Sequence, residues 1–224
     1  GTAMMHVKRP VVAGLFYPGT KNELKATLGD LMHATDATSN ERPCALIAPH
    51  AGYQYSGPVA ASAYATLAPW ADEIRRVVVL APSHRVGFRG IATSSADVFR
   101  TPLGDIPVDC AAVQQLRGLP GVLTLDEAFA EEHALEVQLP FLQTVLPAFE
   151  LVPLIVGEAD SDDVSQVIDQ LTSPETLTVV SSDLSHFLDY RNCQQRDRST
   201  TALIEEMRED EIGPRDACGA YPVR

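Results

Sequence analysis

The sequence predicts an α/β fold, a single domain with a largely parallel or mixed central sheet and helices on both faces. Three observations support this prediction. Short apolar, β-branched runs alternate with helical patterns along the 224 residues, which is typical of parallel strands joined by helical crossovers. The chain shows no internal repeat and no linker-like tract. Hydrophobic residues make up 45% and charged residues 21%, a composition that supports one substantial core.

The strand predictions rest on β-branched runs that end in small or polar residues. These runs are 44–50, 76–82, 151–157 and 176–181. Between them, the segment 87–109 contains short extended pieces and turns, and it predicts a β-hairpin or an excursion from the sheet.

The helix predictions rest on apolar periodicity and on terminal signals. Ser56 as N-cap and Pro58 in the first turn predict a helix over 59–67. Further helices are predicted over 110–116, 131–146, 161–171 and 191–208. Because Pro140 falls inside one of these patterns, that helix should kink or break there.

Charge and composition exclude several classes of function. The net charge is −13, from 17 basic and 30 acidic residues, so we expect neither a nucleic-acid partner nor an anionic membrane surface. No apolar run approaches the roughly 20 residues of a membrane span. Four scattered cysteines without a CxxC pair, and no recognisable signal peptide, predict reduced thiols in a cytoplasmic protein. The residues before Met5 resemble an expression remnant, which leaves 5–224 as the domain.

Histidines and a carboxylate follow the ends of three predicted strands. His50 and His84 each follow one strand, and Asp183, with His186 three residues later, follows another. In open α/β sheets, ligands bind beyond the carboxyl ends of the strands. Imidazoles and a carboxylate gathered from separate strand ends commonly hold a first-row transition metal. His6 has no such position.

Two further groups are candidates for the same pocket. Glu132 and His133, at the start of the helix predicted over 131–146, are expected to line it as acid/base groups or as partners of the ligands. Glu136 would share a helix face with His133. A loop containing Tyr53 is expected to lead into a helix N-terminus, whose N–H groups favour an anionic oxygen. The sequence has no GxSxG, Walker or GxGxxG motif, so it does not support serine hydrolase, P-loop or dinucleotide-binding functions.

Six motifs, in order, resemble one known family. They are 13–18 (AGLFYP), 48–57 (APHAGYQYSG), 81–84 (APSH), 132–141 (EHALEVQLPF), 181–186 (SSDLSH) and 217–219 (ACG). This set resembles the MEMO family (mediator of ErbB2-driven cell motility), whose prokaryotic members are called AmmeMemoRadiSam system protein B. The resemblance extends from Arg9 to Cys218.

The resemblance implies a fold similar to that of class III extradiol dioxygenases, which are non-haem iron enzymes. It implies that His50, His84 and Cys218 are metal ligands and that Asp183 and His186 lie in the same pocket. Iron (Fe²⁺) is the expected metal, with copper or zinc as alternatives. Family members usually continue well past the Cys-Gly motif, whereas this sequence stops six residues after Cys218, so a truncated C-terminus is expected.

The resulting hypothesis is a metal-binding protein with redox or dioxygenase-like activity, which would activate dioxygen or a small oxygen-bearing substrate. Asp183 and His186 would handle protons or support the ligands, and Glu132 and His133 would line the pocket. One alternative is a non-catalytic adaptor that binds a peptide or protein partner in the same pocket. Another is a hydrolase or lyase that uses zinc-activated water. The prokaryotic family name also implies a functional link to radical-SAM and AMMECR1-like proteins.

Overall fold

The computed structural model describes residues 4–183 and the backbone of Leu188–Tyr190. The strands are β1 Val7–Lys8, β2 Ala45–Ala48, β3 Arg76–Pro82, β4 Ile91–Thr93, β5 Val98–Thr101, β6 Gly104–Pro107, β7 Val122–Thr124, β8 Glu150–Val156, β9 Thr176–Ser181 and β10 Leu188–Tyr190. The α-helices are α1 Lys21–His33, α2 Tyr53–Ala65, α3 Cys110–Leu116, α4 Glu127–Ala130, α5 His133–Glu136, α6 Leu139–Val145 and α7 Ser161–Leu171.

The main sheet has seven strands in the order β10-β2-β9-β3-β8-β4-β7. Its centre, β2-β9-β3-β8, is parallel throughout. On one side β10 runs antiparallel to β2, and on the other β4 runs antiparallel to β8. The sheet is therefore mixed around a parallel centre, and the predicted α/β fold class is confirmed.

Both faces of the parallel centre are covered. Every residue of β2 and β9 is buried, and so are the last six residues of β3 and β8. Because successive strand residues point to opposite faces, uninterrupted burial requires packing on both sides. Helices provide that packing, since α2 contacts β2, α5 contacts β3 and α3 contacts β8.

The hairpin predicted within 87–109 is present as β5 and β6, which pair antiparallel. With β1 alongside β5, it forms a separate three-stranded sheet. The start of the same segment contributes β4, which belongs to the main sheet. The predictions of a hairpin and of an excursion therefore each describe part of this region.

One helix prediction needed correction, at the start of α2. The helix predicted over 59–67 begins earlier, at Tyr53, with Gly52 as N-cap and Pro58 inside it. Its start is decided by tertiary contacts, because the Tyr53 N–H donates to the Phe16 carbonyl (2.8 Å) and its hydroxyl donates to the Val137 carbonyl (2.6 Å). The helix predicted over 131–146 breaks just before Pro140, as expected, into α5 and α6. The helix predicted over 191–208 lies outside the described residues.

The cysteine prediction was only partly right. Cys110 is an exposed, reduced thiol, as expected. Cys44, in contrast, is disulfide-bonded, and the other half of the disulfide lies outside the described residues. The expectation of four reduced thiols is therefore wrong at Cys44.

The helices are short relative to a lipid bilayer. Across residues 4–183, none of them is long and apolar enough to cross a membrane.

Candidate metal centre

The order of the strands brings three of the predicted site residues to one edge of the sheet. β9 lies between β2 and β3, and all three run in the same direction. His50, His84 and Asp183 each stand two residues beyond the end of one of these strands. The prediction that distant strand ends meet at one edge is therefore confirmed.

Three histidines form a cluster at this edge. One ring nitrogen each from His50, His84 and His133 lies within 4.8 Å of those from the other two. The ring centroids are 5.1 Å apart for His50–His84, 5.5 Å for His50–His133 and 5.0 Å for His84–His133. Within residues 4–183, this is the one group of three such donors spaced closely enough to hold a metal ion.

His50 is held from the interior of the protein. Only 3% of the residue is exposed, and its Nδ1 lies 3.0 Å from Ser181 Oγ at the end of β9. Ser181 is itself fully buried. The sheet therefore fixes the direction in which the imidazole points, with Nε2 on the side away from Ser181.

His84 is held by a carboxylate. Its ring Nδ1 donates to Glu132 Oε2 at 2.8 Å, and its main-chain N–H donates to Oε1 at 2.5 Å. Because an ionised carboxylate only accepts hydrogen bonds, Nδ1 carries a proton, and in the neutral imidazole the lone pair is then on Nε2. This is the carboxylate–histidine arrangement that orients metal ligands and makes them more basic.

Glu132 also caps the start of α5. It is the N-cap of this helix, and its Oε2 also accepts the Ala134 N–H at 3.1 Å. Burial alone would raise the pKa of Glu132, but the hydrogen bonds from His84 and Ala134 and the charge of His84 lower it below its ordinary value. A buried, ionised carboxylate therefore stands directly behind the ligand candidate.

His133 completes the cluster as the first residue of α5. Its ring stacks against His84 (interplanar angle 23°) and, 4.5 Å away between ring centroids, against Phe16. The sequence predicted His133 as a pocket-lining residue, and the structure gives it the further capacity of a third metal donor. The signal for that capacity is weak in the sequence, because it depends on α5 beginning at the same edge as β2 and β3.

Burial favours the neutral form of two of the clustered histidines, His50 and His133. Burial, followed by the nearby charges of His84 and His133, lowers the pKa of His50 to about 3. Burial also lowers the pKa of His133, although the adjacent Glu132 opposes the shift. Neutral imidazole is the form that binds metals.

Glu136 is not one of the three clustered donors, although it and His133 both contact the N-terminal segment 11–17. Its buried carboxylate accepts hydrogen bonds from the N–H groups of Val11 (2.8 Å) and Val12 (3.0 Å) and from the hydroxyl of Tyr17 (2.7 Å). These contacts fasten the N-terminal segment 11–17, which carries Phe16 to the ring of His133. Sequence reasoning missed this role of Glu136.

Asp183 lies near His84 but is not one of the three clustered donors. Asp183 is an exposed residue, yet partial burial of its carboxyl raises its pKa, against the opposing charge of His84. Its predicted partner His186 and the predicted ligand Cys218 lie outside the described residues.

The loop position predicted for Tyr53 is wrong, since this residue is the first residue of α2. Its N–H is occupied by the Phe16 carbonyl, so it does not contribute to an anion site at the helix N-terminus. Instead, the contact joins α2 to the N-terminal segment beside His133.

The donor set fits a transition metal. Three imidazoles can contribute nitrogen ligands, which suit iron, copper and zinc much better than magnesium or calcium. At His84 the hydrogen bond to Glu132 also fixes the tautomer that such binding needs.

A family model and several individual proteins that resemble this chain all belong to one family. A family model described as Memo-like protein matches residues 8–215. A MEMO1 family protein of Methanopyrus kandleri is 35% identical over 242 residues, covering 96% of this chain and 81% of the relative. Corresponding proteins of Nitrosopumilus maritimus (33% over 212 residues; 90% and 76% covered) and Aquifex aeolicus (32% over 213 residues; 93% and 78%) are also similar.

Proposed function

The chain belongs to the Memo-like protein family, and from this premise we propose that it is a metal-dependent redox enzyme acting on a small oxygen-bearing substrate. The observation that carries the proposal is the convergence of the imidazoles of His50, His84 and His133 at the carboxyl edge of the sheet. Iron is the metal we favour, with copper or zinc as alternatives.

In this proposal His50 and His84 are the principal ligands, because each is oriented through Nδ1 by a buried partner. His133 serves as a third donor or as a pocket wall beside them. Cys218, which the family resemblance implies as a ligand, remains a prediction. A bound iron or copper ion would supply redox chemistry and an open coordination position for substrate.

The remaining side chains would manage protons and water. The raised pKa of Asp183 suits a group that accepts and returns protons at the edge of the site. His186 would assist it. Glu132 stays ionised and holds His84 in place. Phe16 covers a face of His133, which limits the access of water from the side of the N-terminal segment.

The experiment that tests this proposal is metal analysis of protein purified without oxygen and reconstituted with Fe²⁺, Cu²⁺ or Zn²⁺. We expect close to one ion per chain for the wild type and a large loss for His50→Ala and His84→Ala. His33→Ala is the matched control, since His33 is exposed and contacts the Gly29 carbonyl of its own helix. A wild type that holds no metal, or variants that hold as much, would contradict the proposal.

Metal identity separates redox chemistry from hydrolysis. Imidazole ligands alone are compatible with zinc-activated water. An absorption spectrum that changes when oxygen is admitted to the iron- or copper-loaded protein supports the redox proposal. Activity that appears only with zinc, without any spectral response, supports a hydrolase or lyase instead.

A second candidate function is recognition of a peptide or protein partner. The favouring observation is that Leu15 and Tyr55 are each 77% exposed, on the two segments that meet beside the cluster through Phe16 and Tyr53. Pull-down of a partner that is lost in Leu15→Ser and Tyr55→Ser, from protein that binds no metal, would favour this function.

The proposal also covers the protein's partners and its location in the cell. We propose a functional link to radical-SAM and AMMECR1-like proteins, to be tested by co-purification of tagged protein from its host. We also propose a cytoplasmic location. Because the disulfide at Cys44 removes part of the basis for that expectation, cell fractionation is its direct test.

A further inference from the structure

We infer that Ser181, with Gln138 behind it, is a positioning residue that fixes His50 as the Nδ1–H tautomer and so makes Nε2 its metal-binding atom. This inference rests on the proposed metal-binding function and extends it to residues outside the ligand set. It follows from the direction of each hydrogen bond in a buried network beneath His50, beginning at main-chain carbonyls, whose role as acceptors is fixed.

The first step is the orientation of the Gln138 amide. One of its terminal atoms lies 2.9 Å from the Pro49 carbonyl oxygen and 3.1 Å from Ser181 Oγ. Because a carbonyl oxygen only accepts, this atom must be the NH₂ group. The other terminal atom is then the oxygen, which accepts the Tyr64 hydroxyl at 2.5 Å. Gln138 is fully buried, and its NH₂ is closer to Pro49 and Ser181 than to a third acceptor, the Ala48 carbonyl at 3.4 Å, so its two protons are directed at Pro49 and Ser181.

The second step is the direction of the Ser181 hydroxyl. Its oxygen lies 2.7 Å from the carbonyl oxygen of Ala134, which again can only accept. The single proton of Ser181 is therefore directed at Ala134. With an N–H arriving from Gln138 as well, one acceptor position remains on Ser181 Oγ.

The third step reaches the histidine. His50 Nδ1 is 3.0 Å from Ser181 Oγ, and the serine has only an acceptor position left for it. Nδ1 must therefore carry the proton, which leaves the lone pair on Nε2. The opposite tautomer would require Ser181 to turn its proton away from Ala134.

This network gives His50 the same tautomer that Glu132 imposes on His84, by a different chemical route. Serine and glutamine add no charge at this point, so orientation is achieved without a second buried carboxylate. Partners of this kind typically contribute about 10–100-fold to metal affinity.

The test combines a tautomer measurement with metal binding. In metal-free protein labelled with ¹⁵N-histidine, long-range ¹H–¹⁵N correlation spectra report which ring nitrogen carries the proton, with His50 assigned by its loss in His50→Ala. We expect Nδ1–H in the wild type and a mixture or reversal in Ser181→Ala. We also expect Ser181→Ala to weaken Zn²⁺ binding about 10–100-fold, and Ser181→Thr to restore both properties.

Ser182→Ala is the matched control. Ser182 is the next residue, is equally buried, and its hydroxyl has no hydrogen-bond partner within residues 4–183. It should leave the tautomer of His50 unchanged and metal affinity within about twofold, well below the effect of a true partner residue.

The outcomes separate this inference from the proposed function. A wild-type His50 that is mainly Nε2–H, or a Ser181→Ala protein with unchanged tautomer and affinity, would overturn the positioning role. The wild-type spectrum decides this even if Ser181→Ala does not fold. If the wild type shows Nδ1–H, Ser181→Ala loses it and neither protein binds metal, the tautomer assignment stands and the proposed metal-binding function fails.

Discussion

His50 follows β2 and His84 follows β3 of the same sheet, but different partners hold the two side chains. His50 is 3% exposed and its Nδ1 contacts a neutral hydroxyl, whereas 36% of the His84 side chain is exposed and its Nδ1 contacts a carboxylate. The sheet interior orients the first histidine. A single charged side chain from the α5 N-terminus orients the second.

This difference matters for the chemistry of the two candidate ligands. A hydrogen bond to a carboxylate is roughly twice as strong as a neutral one and makes the imidazole more basic. We therefore expect the His84 side of the site to tune metal affinity and to respond strongly to loss of charge. The His50 side should respond to changes in packing and in hydrogen-bond direction.

Replacing Glu132 with glutamine should have the largest effect. Three N–H groups, two from His84 and one from Ala134, converge on the carboxylate, and an amide would turn its own NH₂ toward one of them. We expect metal affinity to fall about 10–100-fold and the free energy of unfolding to fall by about 1–3 kcal/mol. Isothermal titration with Zn²⁺ and urea unfolding measure the two effects.

Glu131→Gln is the control for this change, since Glu131 is the exposed neighbour in sequence. It should leave metal affinity and stability nearly unchanged. If Glu132→Gln and the wild type bind Zn²⁺ with equal affinity, the charged partner of His84 does not tune the metal affinity of the site.

As the pH falls, the metal-free protein should first lose stability because its buried histidines become protonated. The pKa of His50 is lowered from 6.5 to about 3, so its contribution to stability is complete above about pH 6.5 and is lost as the pH falls toward 3. The pKa of His133 is lowered as well. The free energy of unfolding should therefore decrease below pH 6.5, by at most about 1.4 kcal/mol per pH unit for each histidine.

Urea unfolding between about pH 7 and pH 5 measures this slope, in a range above the ordinary pKa of carboxylates. His50→Gln should flatten it, and the exposed-residue control His33→Gln should not. A slope that is the same in His50→Gln and the wild type would show that His50 is not held in its neutral form by burial.

Loosening the N-terminal segment should affect the third histidine less strongly. Glu136→Gln keeps one oxygen for three donors, Val11, Val12 and Tyr17, so at least one buried hydrogen bond is lost. We expect a loss of about 1–3 kcal/mol in stability and faster amide hydrogen exchange at Val11 and Val12. Metal affinity should change less than in Glu132→Gln. An equal loss of affinity would show that His133 contributes as much to metal binding as His84.

The smallest effect is expected for Phe16→Leu. This change keeps an apolar side chain but removes the ring stacked on His133, an interaction worth about 0.5–1.5 kcal/mol. Thermal unfolding should show a small decrease in Tm, and metal affinity should remain close to that of the wild type. A loss of affinity as large as that of Glu132→Gln would make Phe16 a principal support of the site.

The strands of the site could be predicted because the residues that specify each strand lie within one short segment of the sequence. The runs 76–82 and 176–181 are rich in β-branched residues and match β3 and β9 residue for residue. A polar group just past such a run is a strong signal, which is why His50, His84 and Asp183 were found. The start of α2 was missed because it depends on Phe16, a residue far away in sequence.

Local sequence therefore determined the fold class and two of the three clustered histidines, since hydrophobic burial and strand direction are encoded in short segments. The family resemblance adds Cys218 as a prediction. Only the tertiary structure decided that His133 joins the cluster, that Glu136 fastens the N-terminal segment, and that Ser181 and Gln138 stand behind His50. Those roles depend on the direction of individual hydrogen bonds between residues up to 131 positions apart, and that information exists only once the chain is folded.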